Sequence, residues 1–193
     1  LYLGTGQGLL ISIDGGEKFA QVTGSQLSSA PTQWIEQHKK QPDILYAGTH
    51  NLGVFRSEDG GRNWRWVFFE TLPTANNIRA IALDPEDPDR VTIATMDGAF
   101  RSKNGGGSWE RSGGFLFTSQ KVRRMRSNPK DGNHLVALTE LKVWESFDWG
   151  DTWEALYIND SDWSTRGLAF DPHRDGAFWI VTSGELLRVS STP

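Results

Sequence analysis

The sequence predicts an all-β chain folded as a β-propeller of four-stranded antiparallel blades, and three observations carry that prediction. First, one motif recurs four times, with leading serines Ser12, Ser57, Ser102 and Ser146 spaced 45, 45 and 44 residues apart. Second, each copy lies between short runs of β-branched, aliphatic and aromatic residues, and helical periodicity is almost absent. Third, 21 glycines and nine tryptophans against two methionines suit many short strands joined by tight turns. Four short strands repeating at about 45 residues make a propeller blade. Kelch repeats have a longer period of about 50, and the Gly-His and Trp-Asp signature of WD repeats is absent.

The elements follow in order once the four motifs are aligned. A run ending in small residues precedes each motif: Leu1 to Thr5, Ile44 to Thr49, Val91 to Thr95 and Leu135 to Thr139. A tight turn leads into a second run: Gly8 to Ser12, Gly53 to Ser57, Gly98 to Ser102 and Lys142 to Ser146. The motif then turns the chain, and a third run starts at its aromatic residue. A fourth run closes on a proline turn: Ile78 to Leu83 before Asp84-Pro85, Val122 to Ser127 before Asn128-Pro129, and Thr165 to Phe170 before Asp171-Pro172. The first repeat has a more polar version, Ile35 to Lys40 before Gln41-Pro42.

With strands labelled A to D from the innermost outward, the chain begins at a strand B and ends at a strand C. One propeller domain over residues 1–193 is expected, with complete blades at 33–70, 78–112 and 121–158 and partial ones at 1–23 and 165–190. Both partial pieces offer B and C, so they cannot merge into one blade. The expectation is a partial propeller whose other blades lie outside this sequence or on another chain; a five-bladed ring with two short blades is the alternative. The chain opens at Leu1 inside a strand-like run, as a processed, trimmed or partial chain would.

The four motifs are Ser12-Ile13-Asp14-Gly15-Gly16-Glu17-Lys18-Phe19, Ser57-Glu58-Asp59-Gly60-Gly61-Arg62-Asn63-Trp64, Ser102-Lys103-Asn104-Gly105-Gly106-Gly107-Ser108-Trp109 and Ser146-Phe147-Asp148-Trp149-Gly150-Asp151-Thr152-Trp153. The residue types suit a hairpin between strands C and D. A short carboxylate accepts turn amides, glycine takes positive φ, and the aromatic ring covers the turn. The pattern resembles the Asp-box, or BNR repeat, of sialidases, xyloglucanases, sortilin-type receptors and photosystem II assembly-factor propellers. The resemblance implies a structural role for Asp14, Asp59, Asn104 and Asp148 and for Phe19, Trp64, Trp109 and Trp153. It places them at the blade periphery and implies an extracytoplasmic setting.

Function is expected on the opposite face, where the loops differ between repeats. Six residues before the turn prolines stand Glu36, Arg79, Arg123 and Arg166, near the start of each innermost strand. That position lies at the mouth of a propeller's central channel. Lys121, Arg124 and Arg126 add charge nearby, and guanidinium forks bind carboxylates and phosphates in bidentate fashion. Trp34, Tyr157, Trp163, Phe115 and Phe117 are expected near the same mouth, as binding anchors or as loop packing. The structural alternative for the arginines is solvated pairing with Glu36 and loop carboxylates.

These residues point to a non-catalytic scaffold that binds a protein or acidic peptide through its loop-rich face. The arginine group resembles the arginine patch of the assembly-factor propellers, whereas Tyr46 to Ser57 is closer to sortilin-like and xyloglucanase-like propellers. The alternative is a glycoside hydrolase, with carbohydrate as ligand. A sialidase-like site would use the arginines with Tyr157, but the Phe-Arg-Ile-Pro segment of that family is missing. A xyloglucanase-like site needs two facing carboxylates, for which Asp97, Glu140, Asp160, Asp162 and Glu185 are candidates.

Other classes are excluded or unsupported. A net charge of −4 argues against a general nucleic-acid binder. There is no cysteine for a disulfide or thiolate site, and no apolar run reaches the roughly 18 residues of a membrane span. His38, His50, His134 and His173 are scattered, so neither metal nor cofactor is expected. Asp84 to Asp89 reads as a rigid acidic turn, with calcium as the alternative. Asn159-Asp160-Ser161 is a formal glycosylation sequon.

Overall fold

The computed structural model describes residues 1–113, 117, 121–140, 142–156 and 166–191. Its strands form five antiparallel sheets, three of four strands and two of three. The first sheet holds β1 (Tyr2–Thr5), β2 (Gly8–Ile11) and β3 (Ala20–Gln21). The second holds β4 (Thr32–Gln37), β5 (Leu45–Thr49), β6 (Val54–Ser57) and β7 (Arg65–Phe68). The third holds β8 (Ile78–Leu83), β9 (Val91–Thr95), β10 (Gly98–Ser102) and β11 (Glu110–Ser112). The fourth holds β12 (Arg124–Asn128), β13 (Asp131–Leu138), β14 (Val143–Ser146) and β15 (Glu154–Leu156). The last holds β16 (Gly167–Phe170), β17 (Phe178–Val181) and β18 (Leu186–Val189). Strands within each sheet pair in chain order, as propeller blades do, and the two end sheets are not strand-paired with each other.

The core is a series of layers between successive sheets. Leu9, Val22 and Leu27 meet Ala47 and Phe55 of the second sheet. Tyr46, Val54 and Phe68 of that sheet meet Ile78, Ile81, Ile93 and Phe100 of the third. Ala80, Ala82, Ala94 and Ala99 of the third meet Met125, Leu135, Ala137 and Trp144 of the fourth. Val136, Leu138 and Val143 meet Leu168, Phe178 and Ile180 of the fifth. Middle strands have apolar residues on both faces because each face has a sheet against it. Thus Leu45–Thr49 and Val91–Thr95 are buried throughout.

The four motif hairpins share one bonding pattern. In the second sheet Ser57 Oγ donates to Asp59 Oδ1 at 2.9 Å and accepts the Gly61 N–H at 2.8 Å. Asp59 Oδ1 also accepts the Asn63 N–H at 2.8 Å. Asn104 does the same work with an amide, accepting from Ser102 Oγ and the Ser108 N–H, each at 2.9 Å. Trp64 and Trp153 fold back onto their own turns, donating to Gly61 O at 2.8 Å and Gly150 O at 3.2 Å. Trp109 reaches the preceding sheet instead, donating to Val67 O at 2.7 Å. Phe19 departs from the expected packing role and stays 42% exposed. It follows the turn of the first sheet, and among the described residues no other sheet packs over it.

The fourth hairpin has Trp149 where the others have a glycine at positive φ. Trp149 is at φ 58° yet only 4% exposed. Left-handed backbone costs a non-glycine residue about 1–2 kcal/mol. Here the strain is offset by burial and by the Arg90 and Arg101 guanidiniums, 4.5 and 5.1 Å from the ring centre.

Asn104 makes the hairpin directly testable. Asp59→Asn is expected to leave the thermal midpoint within about 2 °C, since the amide keeps the acceptor. Asp59→Ala is expected to cost about 1 kcal/mol, as losing a cap does, or about 2–4 °C in a domain of this size. The Asn63 N–H holds the Asp59 carboxyl below the usual range, with Ser57 Oγ adding to it. A depressed folded-state value gives stability that is present above the unfolded pKa and lost as pH falls through the folded one. Thermal melts from about pH 2 to pH 7 should therefore show this acid-side loss in the wild type and a smaller loss in Asp59→Asn.

Candidate functional site

Strands β4, β8, β12 and β16 form the inner edge of the fold, each packed beside the next. Pairing with the second strand of each sheet fixes their register. Trp34 faces Gly48, Ala80 faces Ala94, Arg124 faces Leu138, and Gly167 faces Val181. The preceding residues are therefore equivalent: Gln33, Arg79, Arg123 and Arg166. Gln33 and Arg79 sit at the irregularities between Thr32 and Trp34 and between Ile78 and Ala80. Such bulges re-aim a side chain. Arg123 and Arg166 donate their N–H groups to Leu138 O and Val181 O, each at 2.7 Å.

Arg79, Arg123 and Arg166 line one open cleft of about 570 Å³, together with Gln33, Trp34, Lys121, Arg124 and Glu140. Five cations thus face one carboxylate among the described residues. Arg123 Nη2 donates to Glu140 Oε1 at 2.9 Å. That bond and the Arg123 charge, with Lys121 and Arg79 beyond, hold the Glu140 carboxyl below the usual range.

Glu36 does not belong to this ring. It is in register with Ala82, Arg126 and Ala169, and with them lines a separate cleft of about 270 Å³. The count from proline fails because the first A-to-B turn has its proline in a different place. Gln37 and Leu83 are equivalent, so Pro42 matches Pro88 rather than Pro85. The residue equivalent to the arginines is Gln33, which the proline count missed. Counting from the Gly48-Thr49 end of the paired strand finds it.

Trp34 lies between the two clefts. It packs against buried residues of both the second-to-third and the third-to-fourth layers. Its ring meets Arg126 at 4.8 Å and Arg124 at 5.9 Å, two sheets away. The small side chains of Ala80 and Ala82 on the intervening strand leave room for this crossing.

The other sequence candidates fall in different places. Tyr157, Trp163, Phe115, Asp160, Asp162 and the sequon lie outside the described residues. Phe117 is 1% exposed, with ring contacts to Trp144 and Trp153 at 6.1 and 5.2 Å, and so packs a loop. Asp97 is held by Arg111 at 2.8 Å in a cleft with Trp109, apart from the arginines. Asp84 accepts the Glu86 and Asp87 N–H groups through Oδ1 and pairs Oδ2 with Arg90 at 2.7 Å. Its oxygens thus fasten the acidic turn. Among the described residues no group of three or more His, Asp or Glu is placed to hold a metal ion.

Glu36 gives a stability test of this geometry. Burial pushes its carboxyl up, partly opposed by the charge of Arg126. A raised folded-state value means stability that is full below the unfolded pKa of about 4 and declines as pH rises through the folded one. Glu36→Gln should therefore raise the thermal midpoint at about pH 7.5, with the gain vanishing near pH 3.5. A lower midpoint at the higher pH would show that the Arg126 attraction outweighs burial.

No family model matches the chain. The xyloglucanase Xgh74A of Acetivibrio thermocellus is 26% identical over 213 residues, covering 89% of this chain and 24% of that protein. The photosystem II assembly lipoprotein Ycf48 of Synechococcus sp. (strain CC9902) is 25% identical over 138 residues, covering 71% of this chain and 39% of that protein. The chain thus spans about a quarter of the first of these relatives and two fifths of the second. Among solved structures, an ancestral GH74 enzyme superposes with a TM-score of 0.73 at 18% identity, covering 97% of this chain and 29% of its own. YCF48 bound to D1 peptide superposes at 0.65 and 18% identity, covering 93% of this chain and 56% of its own. With the five antiparallel sheets, these likenesses make the chain an all-β, partial β-propeller.

Proposed function

We propose that this chain is a non-catalytic propeller module that captures an acidic segment of a protein in its arginine-lined cleft. The carrying observation is the convergence of Arg79, Arg123 and Arg166, equivalent residues of three sheets, on one cleft with Lys121 and Arg124. Like charges gathered this way repel one another, and an anionic partner relieves that repulsion while forming charge-assisted hydrogen bonds. One fold neighbour, YCF48, is bound to D1 peptide in its solved structure, which supports a polypeptide as the kind of partner. The shared hairpin bonding supports reading the four motifs as Asp-boxes with a fastening role.

Glycoside hydrolysis is the second reading, favoured by the xyloglucanase relative that matches 89% of this chain. Hydrolysis with retention or inversion uses two carboxyl groups about 5–9.5 Å apart across the scissile bond. Among the described residues the arginine cleft offers one, Glu140, already paired with Arg123.

The combined variant Arg79→Glu, Arg123→Glu, Arg166→Glu is expected to weaken capture of an acidic peptide about 100-fold, at roughly 1 kcal/mol for each reversal. Its thermal midpoint should stay within about 4 °C, because Arg123 and Arg166 are exposed and Arg79 is half-buried. Fluorescence anisotropy and thermal melts measure both. Capture at wild-type strength by the triple variant would overturn the binding reading. Turnover of xyloglucan or aryl glycosides by the native protein, lost in Glu140→Gln, would replace it with the hydrolase reading.

A further inference from the structure

We propose that Glu140 is a tethered competitor for the arginine cleft, a carboxylate that an acidic partner must displace from Arg123 in order to bind. This rests on the anion-binding reading above and adds a residue that sets its affinity. The second to fifth sheets repeat one slot, in which the residue at the entry of the inner strand lies beside the first residue after the threonine that ends or directly follows the second strand. The turn is built alike each time: Thr49, Thr139 and Thr182 donate their N–H groups to Gly53 O, Lys142 O and Glu185 O, and Thr95 pairs with Gly98. The slot partners are therefore Gln33 with His50, Arg79 with Met96, Arg123 with Glu140, and Arg166 with Ser183.

Two of these pairs are joined by a side-chain hydrogen bond, so the slot brings its residues into reach. Gln33 Nε2 lies 3.0 Å from His50 Nδ1, and Arg123 Nη2 lies 2.9 Å from Glu140 Oε1. Met96 and Ser183 bring no charge to Arg79 and Arg166. Among the described residues a direct carboxylate pair is thus built into one arginine of three, at the position flanked by Lys121 and Arg124.

The Glu140–Arg123 pair is suited to exchange. Both side chains are about half exposed, 51% and 48%, so water and salt reach them. An exposed pair of this kind is worth little, because solvent and salt screen it and two long side chains must be held in one geometry. The backbone under Glu140 is meanwhile held, because Thr139 Oγ1 accepts the Lys142 N–H and donates to Lys142 O, each at 3.0 Å. The carboxylate can swing away while its anchor stays in place. An incoming carboxylate takes the same guanidinium donors, and a released Glu140 remains in the cleft as a repulsive charge. Weakly acidic segments are therefore selected against, and segments with several adjacent carboxylates are favoured.

The test is a double-mutant cycle with labelled hexaglutamate, read by fluorescence anisotropy at neutral pH and fixed ionic strength. Glu140→Gln should tighten binding roughly two- to fivefold, the range of an exposed pair. Arg123→Ala should weaken it, and in that background Glu140→Gln should give a clearly smaller gain, that of removing a repulsive charge alone. Unchanged or weaker binding by Glu140→Gln overturns the inference. So does an equal gain in the presence and absence of Arg123, which would make Glu140 a diffuse background charge. Glu140→Ala, which also lacks the carboxylate, must repeat the gain of Glu140→Gln, so that one variant's local rearrangement cannot decide the result. If the arginine triple variant loses binding while Glu140→Gln gains nothing, only the competitor role falls. If wild type and triple variant bind hexaglutamate equally, or neither binds, the anion-binding reading falls and takes the competitor with it.

Discussion

Each of the first four sheets is closed by one buried serine hydroxyl, and the order of the outer strands depends on it. Ser12, Ser57, Ser102 and Ser146 are 3% exposed or less. Each accepts the N–H four residues on, from Gly16, Gly61, Gly106 or Gly150, at 2.8 Å. Each donates to the carboxylate or amide oxygen of Asp14, Asp59, Asn104 or Asp148 at 2.8–2.9 Å. A hydroxyl both donates and accepts, so one buried group fixes the turn with no unsatisfied partner. The turn in its turn sets where the aromatic residue at the end of the motif enters the layer.

Sheet-to-sheet fastening grows from the same hairpins. Arg56 and Arg101 hold equivalent places on the third strands of their sheets, 7% and 6% exposed. Arg56 reaches Asp89 of the next sheet at 2.5 Å, and Arg101 reaches Asp151 and Trp149 O of the next. The equivalent residue of the fourth sheet is Glu145, which turns the chemistry round. Glu145 accepts from His134 Nε2 at 2.7 Å and from Ser191 Oγ. Lys130 N–H occupies Asn128 Oδ1, so the Asn128 amide nitrogen faces His134 Nδ1 at 3.1 Å. His134 Nδ1 therefore accepts and Nε2 carries the proton. Arg56 and Arg101 thus reach the next sheet directly, whereas Glu145 is held by His134 of its own sheet and by Ser191 beyond β18.

The hairpins and the strand order were legible in the sequence because they rest on local, repeated chemistry. Serine, aspartate and glycine at fixed offsets describe a turn wherever they occur. The inner-strand register was legible for Arg79, Arg123 and Arg166, where the turn proline follows closely on the strand. It failed at Glu36, because Pro42 serves a later place in its turn, and a proline alone does not say which. The crossing of Trp34 to Arg124 and Arg126 was not legible at all. It depends on Ala80 and Ala82 being small on a strand between them, a three-body condition that no single repeat displays. Phe19 illustrates the same limit: its type suits packing, yet among the described residues it stays 42% exposed.

The two ends of the inner strands therefore answer to different constraints. At the hairpin end every copy must satisfy one serine, and substitutions are confined to near-equivalents such as Asn104 or are offset by burial, as at Trp149. At the other end the backbone turn is satisfied by the threonines, which leaves the slot residues free to differ without harming the fold. Gln33 with His50, Arg79 with Met96, Arg123 with Glu140 and Arg166 with Ser183 are four solutions in one frame. Stability does not require four different solutions, since one neutral pair repeated throughout would satisfy the backbone equally well. The asymmetry instead gives the cleft a direction, from a neutral side at Gln33 to a cationic side around Lys121, Arg123, Arg124 and Arg166. A partner whose negative charge is itself unevenly spread would bind such a cleft in one orientation.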